Sequence, residues 1–359
     1  RGFSTLTFEL LDQRDEILDE LEVADIDKSR VEGDAARLRS LMQTGQIDRS
    51  EELLQKVLPT AREAGWIDLY AFALRTKAAL LRSQGRAAEA LRTAEEGLEL
   101  LEERETSVDR GWLEIAVGEV HWMRNEFAEA RARYVAGKRE FERANDEYAA
   151  LKAETMIAFS HIYLREFDEA RRIAKQTLTR ARKIGDAWSE GEAWNQLGEI
   201  ARMKGRFSDA HRHFQRLLKS MRRRDPRNRI VGEFNVVLVE VAMEHPNAES
   251  RLDWLRDQIE GSPERAYMPS IHFCFMGTAA TRGDWEAWTR HFELATSRIE
   301  DNPEHLTDMA WIATIVEELT RKHAEDERFV DAIADEAARL RKLEGFEQYG
   351  ESFYADMRG

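Results

Sequence analysis

Apolar and polar residues alternate along this chain with helical spacing, and the alternation itself repeats. From Phe8 to Val23, Leu10, Leu11, Ile17, Leu18 and Leu21 recur at helix-like intervals among Asp and Glu. Beyond this leading segment, helix-ending positions fall at Gly45, Gly85, Asn125, Arg165 and Gly205, each forty residues after the last. Five residues past each stands a small side chain: Ser50, Ala90, Ala130, Ala170, Ala210. Two residues past each is an apolar one: Ile47, Ala87, Phe127, Phe167, Phe207. A fixed period of this size predicts stacked helix pairs, because one pair cannot bury its apolar face alone and must cover it with the next. The expected fold is all-α, a right-handed α-solenoid of about eight helix-turn-helix repeats with capping helices.

Pairs can be drawn near 29–66, 67–106, 107–146, 147–186, 187–225, 226–262, 263–304 and 305–345. Each holds two helices of about 16–18 residues, roughly 25 Å long. Asp225-Pro226 and Ser262-Pro263 mark boundaries, each a capping residue followed by proline at the first helical position. Pro59 lies inside the helical run 51–62 and is expected to kink or split it. Three segments follow: an N-terminal helical cap or linker over 1–28, the repeat array over 29–345, and a capping tail over 346–359 that carries Phe346, Tyr349, Phe353 and Tyr354.

The fifth repeat is the clearest. Trp194, Leu197 and Gly198 lie on its first helix, Gly205 ends that helix, and Phe207, Ala210 and Phe214 follow on the second. This order resembles the tetratricopeptide repeat (TPR), with W-x2-L-G, then an aromatic, a small Ala and a Phe. Gly198 and Ala210 leave room for two helices to approach, and Phe207 and Phe214 fill the gaps between neighbouring pairs. Partial matches recur at Gly118, Phe127, Ala130 and Tyr134, at Ala158, Phe167 and Ala170, and at Ala78 and Ala90. HEAT-type repeats share the long period and are the rival fold. The resemblance implies an arm that recognises other molecules, similar to the sensor or adaptor arms of bacterial signalling ATPases, kinases and caspase-like proteases. More distantly, it resembles the peptide-pheromone receptors of Gram-positive bacteria.

Composition narrows the partners. The formal net charge of −15, on a chain with 34% charged residues, argues against duplex nucleic acid or an anionic membrane surface as the main partner. No apolar run reaches the roughly 20 residues of a membrane span. Cys274 is the only cysteine, which fits a reducing cytoplasm. The chain begins at Arg1 and is read as a piece of a longer polypeptide, with an upstream domain left open. There is no phosphate-binding loop, G-x-G-x-x-G, H-E-x-x-H or C-x-x-C, so neither catalysis nor a cofactor or metal is expected. His211 and His213, two apart on a helix, face different ways and are read as surface residues.

The informative residues are then those on the first helix of each pair, spaced 3, 4, 3 along the concave face. Repeat by repeat these are Phe72, Arg75, Ala79 and Arg82; Trp112, Ile115, Glu119 and Trp122; Lys152, Thr155, Phe159 and Ile162; and Glu192, Asn195, Glu199 and Arg202, with Asn235 added by the sixth. Stacked, they predict an apolar, aromatic centre flanked by Arg and Asn, suited to a peptide or protein segment laid in a groove. The alternative is that Trp112, Trp122 and Phe159 pack between long helices. A basic cluster, Arg216, Lys219, Arg222, Arg223, Arg224 and Arg227, is either a dock for an acidic partner or a solvated helix end.

Overall fold

The computed structural model describes residues 2–20, 26–43, 46–221, 226–260, 267–297 and 306–343. Gly45, Leu21, Asp225, Ser262-Pro263 and the tail 346–359 lie outside the described residues. Among the described residues there are seventeen α-helices and no strand. They divide into two compact units, residues 1–164 and 165–359.

The first unit holds α1 (Gly2–Glu20), α2 (Ile26–Gln43), α3 (Ile47–Glu63), α4 (Ile67–Ser83), α5 (Ala87–Leu100), α6 (Val108–Met123), α7 (Phe127–Arg143) and α8 (Glu147–Tyr163). Each helix packs on the next, and the first helices of successive pairs also touch: α2 on α4, and α4 on α6. This two-layer contact pattern is the expected helix-pair stacking. The second unit holds α9 (Phe167–Ile184), α10 (Ala187–Met203), α11 (Phe207–Met221), α12 (Pro226–Ala242), α13 (Ala248–Ile259), α14 (Met268–Arg282), α15 (Trp285–Thr296), α16 (Leu306–His323) and α17 (Glu327–Leu343). Here α12, α14 and α16 pack on one another.

The turns show why the period is so regular. Gly85, Asn125, Arg165 and Gly205 all have φ between 59° and 73°, and so do Gly65, Asn145 and Gly185 within a few degrees. The left-handed residue lets the next N–H reach back to a carbonyl five positions earlier. That bond recurs at 2.9 Å from Trp66 to Ala61, Arg86 to Leu81, Glu126 to His121, Asp146 to Phe141, Asp186 to Ala181 and Arg206 to Ala201. Turns within pairs and the turns between pairs at Gly65, Asn145 and Gly185 therefore share one geometry, with a spacing of about twenty residues, half of the period read from sequence; the longer α5–α6 connection is the exception.

The small residues five past the turns are buried: Ser50, Ala90, Ala130, Ala170 and Ala210 are at most 1% exposed. Gly198 faces the Phe214 ring and Gly118 the Tyr134 ring, too closely for a β-carbon to enter without displacement. Phe214 is fully buried and, with Trp194, Leu197 and Val236, forms one core of the second unit. In the first unit Leu38, Leu54, Val57 and Phe72 form a corresponding core.

Pro59 corrects half of an expectation, since it does not split its helix. Helix α3 runs through it unbroken. Pro59 and Gln55 are both exposed, so the carbonyl that loses its intrahelical donor is open to water, while Leu54, Val57 and Ala61 anchor the buried face.

Candidate functional site

In the first unit the side-by-side first helices bring their outward rows together. A cavity of about 750 Å³ is lined by Phe72, Arg75, Ala79 and Arg82 of α4, Trp112, Ile115 and Glu119 of α6, and Lys152 of α8. Arg39 and Met42 of α2 and Asp109, in the first turn of α6, complete it. A second cavity of about 740 Å³ shares Arg39, Phe72 and Asp109 and continues past Trp66 and Ile67 towards Lys28. The residues are brought together by register: a 3.6-residue helix with side chains chosen at 3, 4, 3 presents one face, and parallel neighbours repeat that face.

Charges and rings alternate across this floor. The Arg39 guanidinium lies 5.4 Å from the Phe72 ring centre, and Arg75 lies 4.9 Å from Phe72 and 5.7 Å from Trp112. Lys152 Nζ lies 5.8 Å from the Trp112 ring. Arg75 pairs with Asp109 at 3.2 Å, and Arg82 with Glu119 at 2.9 Å. Burial pushes the Asp109 and Glu119 carboxyls up and the Arg75 guanidinium down, and the ion pairs oppose those shifts. The groove therefore offers the half-buried Trp112 ring and cations stacked on it and on the buried Phe72 ring, in a partly desolvated setting that suits an extended chain with mixed apolar and polar side chains.

Three predicted members stand elsewhere. Trp122 is packed edge-on against Phe127 and Tyr163, at 5.0 and 4.9 Å, near the α6–α7 turn. Phe159 is half-buried on α8 and lines neither cavity, while Ile162 is fully buried core. The expected aromatic centre is thus divided between groove (Trp112, Ile115) and packing (Trp122, Ile162).

In the second unit the row behaves differently. Asn235 Nδ2 donates to Asn195 Oδ1 at 2.8 Å, linking equivalent positions of consecutive repeats. The Asn195 amide also reaches Glu192 at 3.5 Å. Burial pushes the Glu192 carboxyl up to about 7, and no cation among the described residues pairs with it. Glu199 and Arg202 were expected to flank the groove. Instead Arg202 is 2% exposed, held by Glu199 Oε2 with Nε at 3.0 Å and covered by the Trp311 ring of α16 at 4.5 Å. A long cation on the inner row has met an aromatic from a distant helix, a contact that local sequence does not signal.

Of the basic cluster, Arg216 is exposed and sits 4.7 Å over the Trp194 ring, and Lys219 is exposed. Arg222, Arg223, Arg224 and the side chain of Arg227 lie outside the described residues. The two histidines are not free surface groups: His211 Nε2 lies 3.0 Å from the buried Glu240 carboxylate, and His213 stacks on Trp194. Cys274 is buried. Among the described residues no group of three or more His, Cys, Asp or Glu could hold a metal ion, and no helix is long and apolar enough to cross a membrane.

Arg39 and Trp311 were missed. Arg39 was reachable, since it stands forty residues before Ala79 in the same row as Glu119 and Glu199. Trp311 had no comparable signal.

Residues 148–223 match the family model for the tetratricopeptide repeat. No curated protein matches the chain. Among solved structures, a Rap protein complexed with competence and sporulation factor shares 15% identity, covering 94% of each chain with a TM-score of 0.66. NprR in complex with its cognate peptide NprX shares 15% identity over 93% of this chain and 98% of that one, with a TM-score of 0.60. Aspartyl phosphate phosphatase F from Bacillus subtilis shares 11% identity over 93% and 88%, with a TM-score of 0.63. At these identities the likeness is one of fold. Taken with the repeated turns, the buried small residues and the matched segment, it makes this chain a TPR-type helical-repeat protein.

Proposed function

We propose that this chain is a non-enzymatic regulatory scaffold of a bacterial signalling or defence system, acting in the cytoplasm, and that it binds a segment of another protein along the inner row of its first unit. The observation that carries this reading is the single groove into which α4 and α6 deliver Phe72, Arg75, Arg82, Trp112 and Glu119. Ring faces supply contact area at low entropic cost, and the paired charges fix orientation. Pull-down with the intact chain tests it. Trp112→Ala combined with Arg82→Ala is expected to weaken capture of a specific partner by at least about tenfold, since aromatic and Arg anchors each carry about 1–2 kcal/mol or more at such sites. Unchanged capture removes the groove from the account.

A second reading, a sensor for a short free peptide, has its own support. Two of the similar folds were solved with a peptide or signalling factor bound. In the second unit the Asn195–Asn235 amides offer donors and acceptors to an extended backbone, and the Glu192 carboxyl, bonded to Asn195 but with no cation beside it among the described residues, suits a cationic ligand group. Small-angle scattering separates the two: a sensor changes dimensions when a tight peptide binds, and a static scaffold does not.

A further inference from the structure

Two guanidiniums share one carboxylate at the centre of the first unit's groove. Asp109 pairs with Arg75, and Glu119 is already taken by Arg82. Asp146, on the same wall, accepts from the Ala149 N–H at 2.9 Å as the cap of α8. Arg39 is exposed and rests over Phe72; it feels the Asp109 carboxylate that Arg75 already holds and makes no ion pair of its own among the described residues. Lys152 adds a third cation over Trp112. Around the first cavity Arg39, Arg75, Arg82 and Lys152 face Asp109, Glu119 and Asp146, and the second adds Lys28 and Arg104 against Glu32 and Asp68, so the groove carries a small positive balance in a chain whose net charge is −15.

Position sharpens the chemistry. Arg39 and Phe72 line both cavities, so open groove leads away from Arg39 in two directions. A chain terminus has no need of space on both sides, whereas an internal residue does. Beside Arg39, Trp112 and Ile115 provide an apolar wall for a neighbouring side chain.

Building on the protein-segment reading above, we propose that the groove selects a segment with an internal Asp or Glu side chain, its carboxylate set on Arg39 at the junction of the two cavities and an adjacent apolar side chain against Trp112. The carboxylate would complete a two-to-two alternation of charge across Asp109, Arg75 and Arg39, with a charge-assisted bond that a neutral amide cannot match.

The test uses the intact chain and a random heptapeptide mixture lacking Cys, N-acetylated and C-amidated so that every carboxylate is a side chain. Peptides retained by the protein are sequenced by mass spectrometry. Wild type is expected to enrich Asp or Glu over Asn or Gln at one internal position by about fivefold or more, the difference between a charged and a neutral hydrogen bond. Arg39→Gln is expected to lose that preference while still retaining peptides, and Arg39→Glu to turn it towards Lys and Arg. Arg39 is exposed, so both variants should fold, and unchanged melting curves check this. A retained pool without acid preference, or the same preference in Arg39→Gln, overturns this inference and leaves the groove as a peptide site. A second mixture with free C-termini separates sources: selection that appears only there, and depends on Arg39, overturns the side-chain assignment. An empty pool from wild type overturns both this inference and the groove reading beneath it.

Discussion

The same row of positions has opposite fates in the two units. In the first, Phe72, Arg75, Trp112 and Glu119 line an open cavity, and their ion pairs join neighbouring inner helices, Arg75 to Asp109 and Arg82 to Glu119. In the second, the pair at equivalent register, Glu199 and Arg202, lies within one helix, and Trp311 covers it. Register decides that a residue belongs to the inner row. Whether it meets solvent or another helix depends on what stands opposite.

The largest expected effect tests that contrast directly. Arg202→Ala breaks a buried ion pair with Glu199 and removes the contact with the Trp311 ring, and should cost about 3–5 kcal/mol in urea unfolding, whereas Arg75→Ala, whose pair with Asp109 is only partly buried, should cost about 1–2 kcal/mol. Equal losses would erase the distinction. A second test uses pH. Glu192 has a folded-state pKa of about 7, above its ordinary value of 4.5, so the folded chain holds a proton that the unfolded chain has released. Stability should therefore fall as pH rises from about 4.5 through 7, and Glu192→Gln should flatten that slope and gain about 1–2 kcal/mol at pH 8. Glu119→Gln should show no such gain, because it removes the partner of Arg82. The smallest effect concerns what the two units share. Asn125→Gly and Asn145→Gly, at φ of 59° and 57°, should stabilise by about 0.5 kcal/mol, measured by thermal unfolding. A loss there would mean that the left-handed turn is not the common device of the repeat.

The legible parts of the molecule were those in which the cause is local. Gly85, Asn125 and Gly205 announced the turns because a left-handed residue must end each helix. Ala90, Ala130 and Ala210 announced the close contacts because nothing larger fits. Groove residues such as Arg75 and Trp112 could be chosen because helix periodicity places them on one face. The boundaries between pairs at 66/67, 146/147 and 186/187 fall at the turns of Gly65, Asn145 and Gly185, but their shared left-handed geometry with the turns inside pairs shows only in the backbone. Pro59 misled because the proline rule ignores which side of the helix is wet.

By itself, then, the chain's pattern determined an all-helical repeat, the positions of its turns and small residues, and which side chains share one face of a helix. Those follow from helix geometry over a few dozen residues. Only the tertiary structure decided that Trp122 and Ile162 are packing, that Arg202 is covered by Trp311, that Glu192 meets no cation among the described residues, and that Arg39 and Phe72 join two cavities. Each depends on groups brought together from separate helices, and the charge or ring that meets a side chain across that distance leaves no trace in the residues beside it.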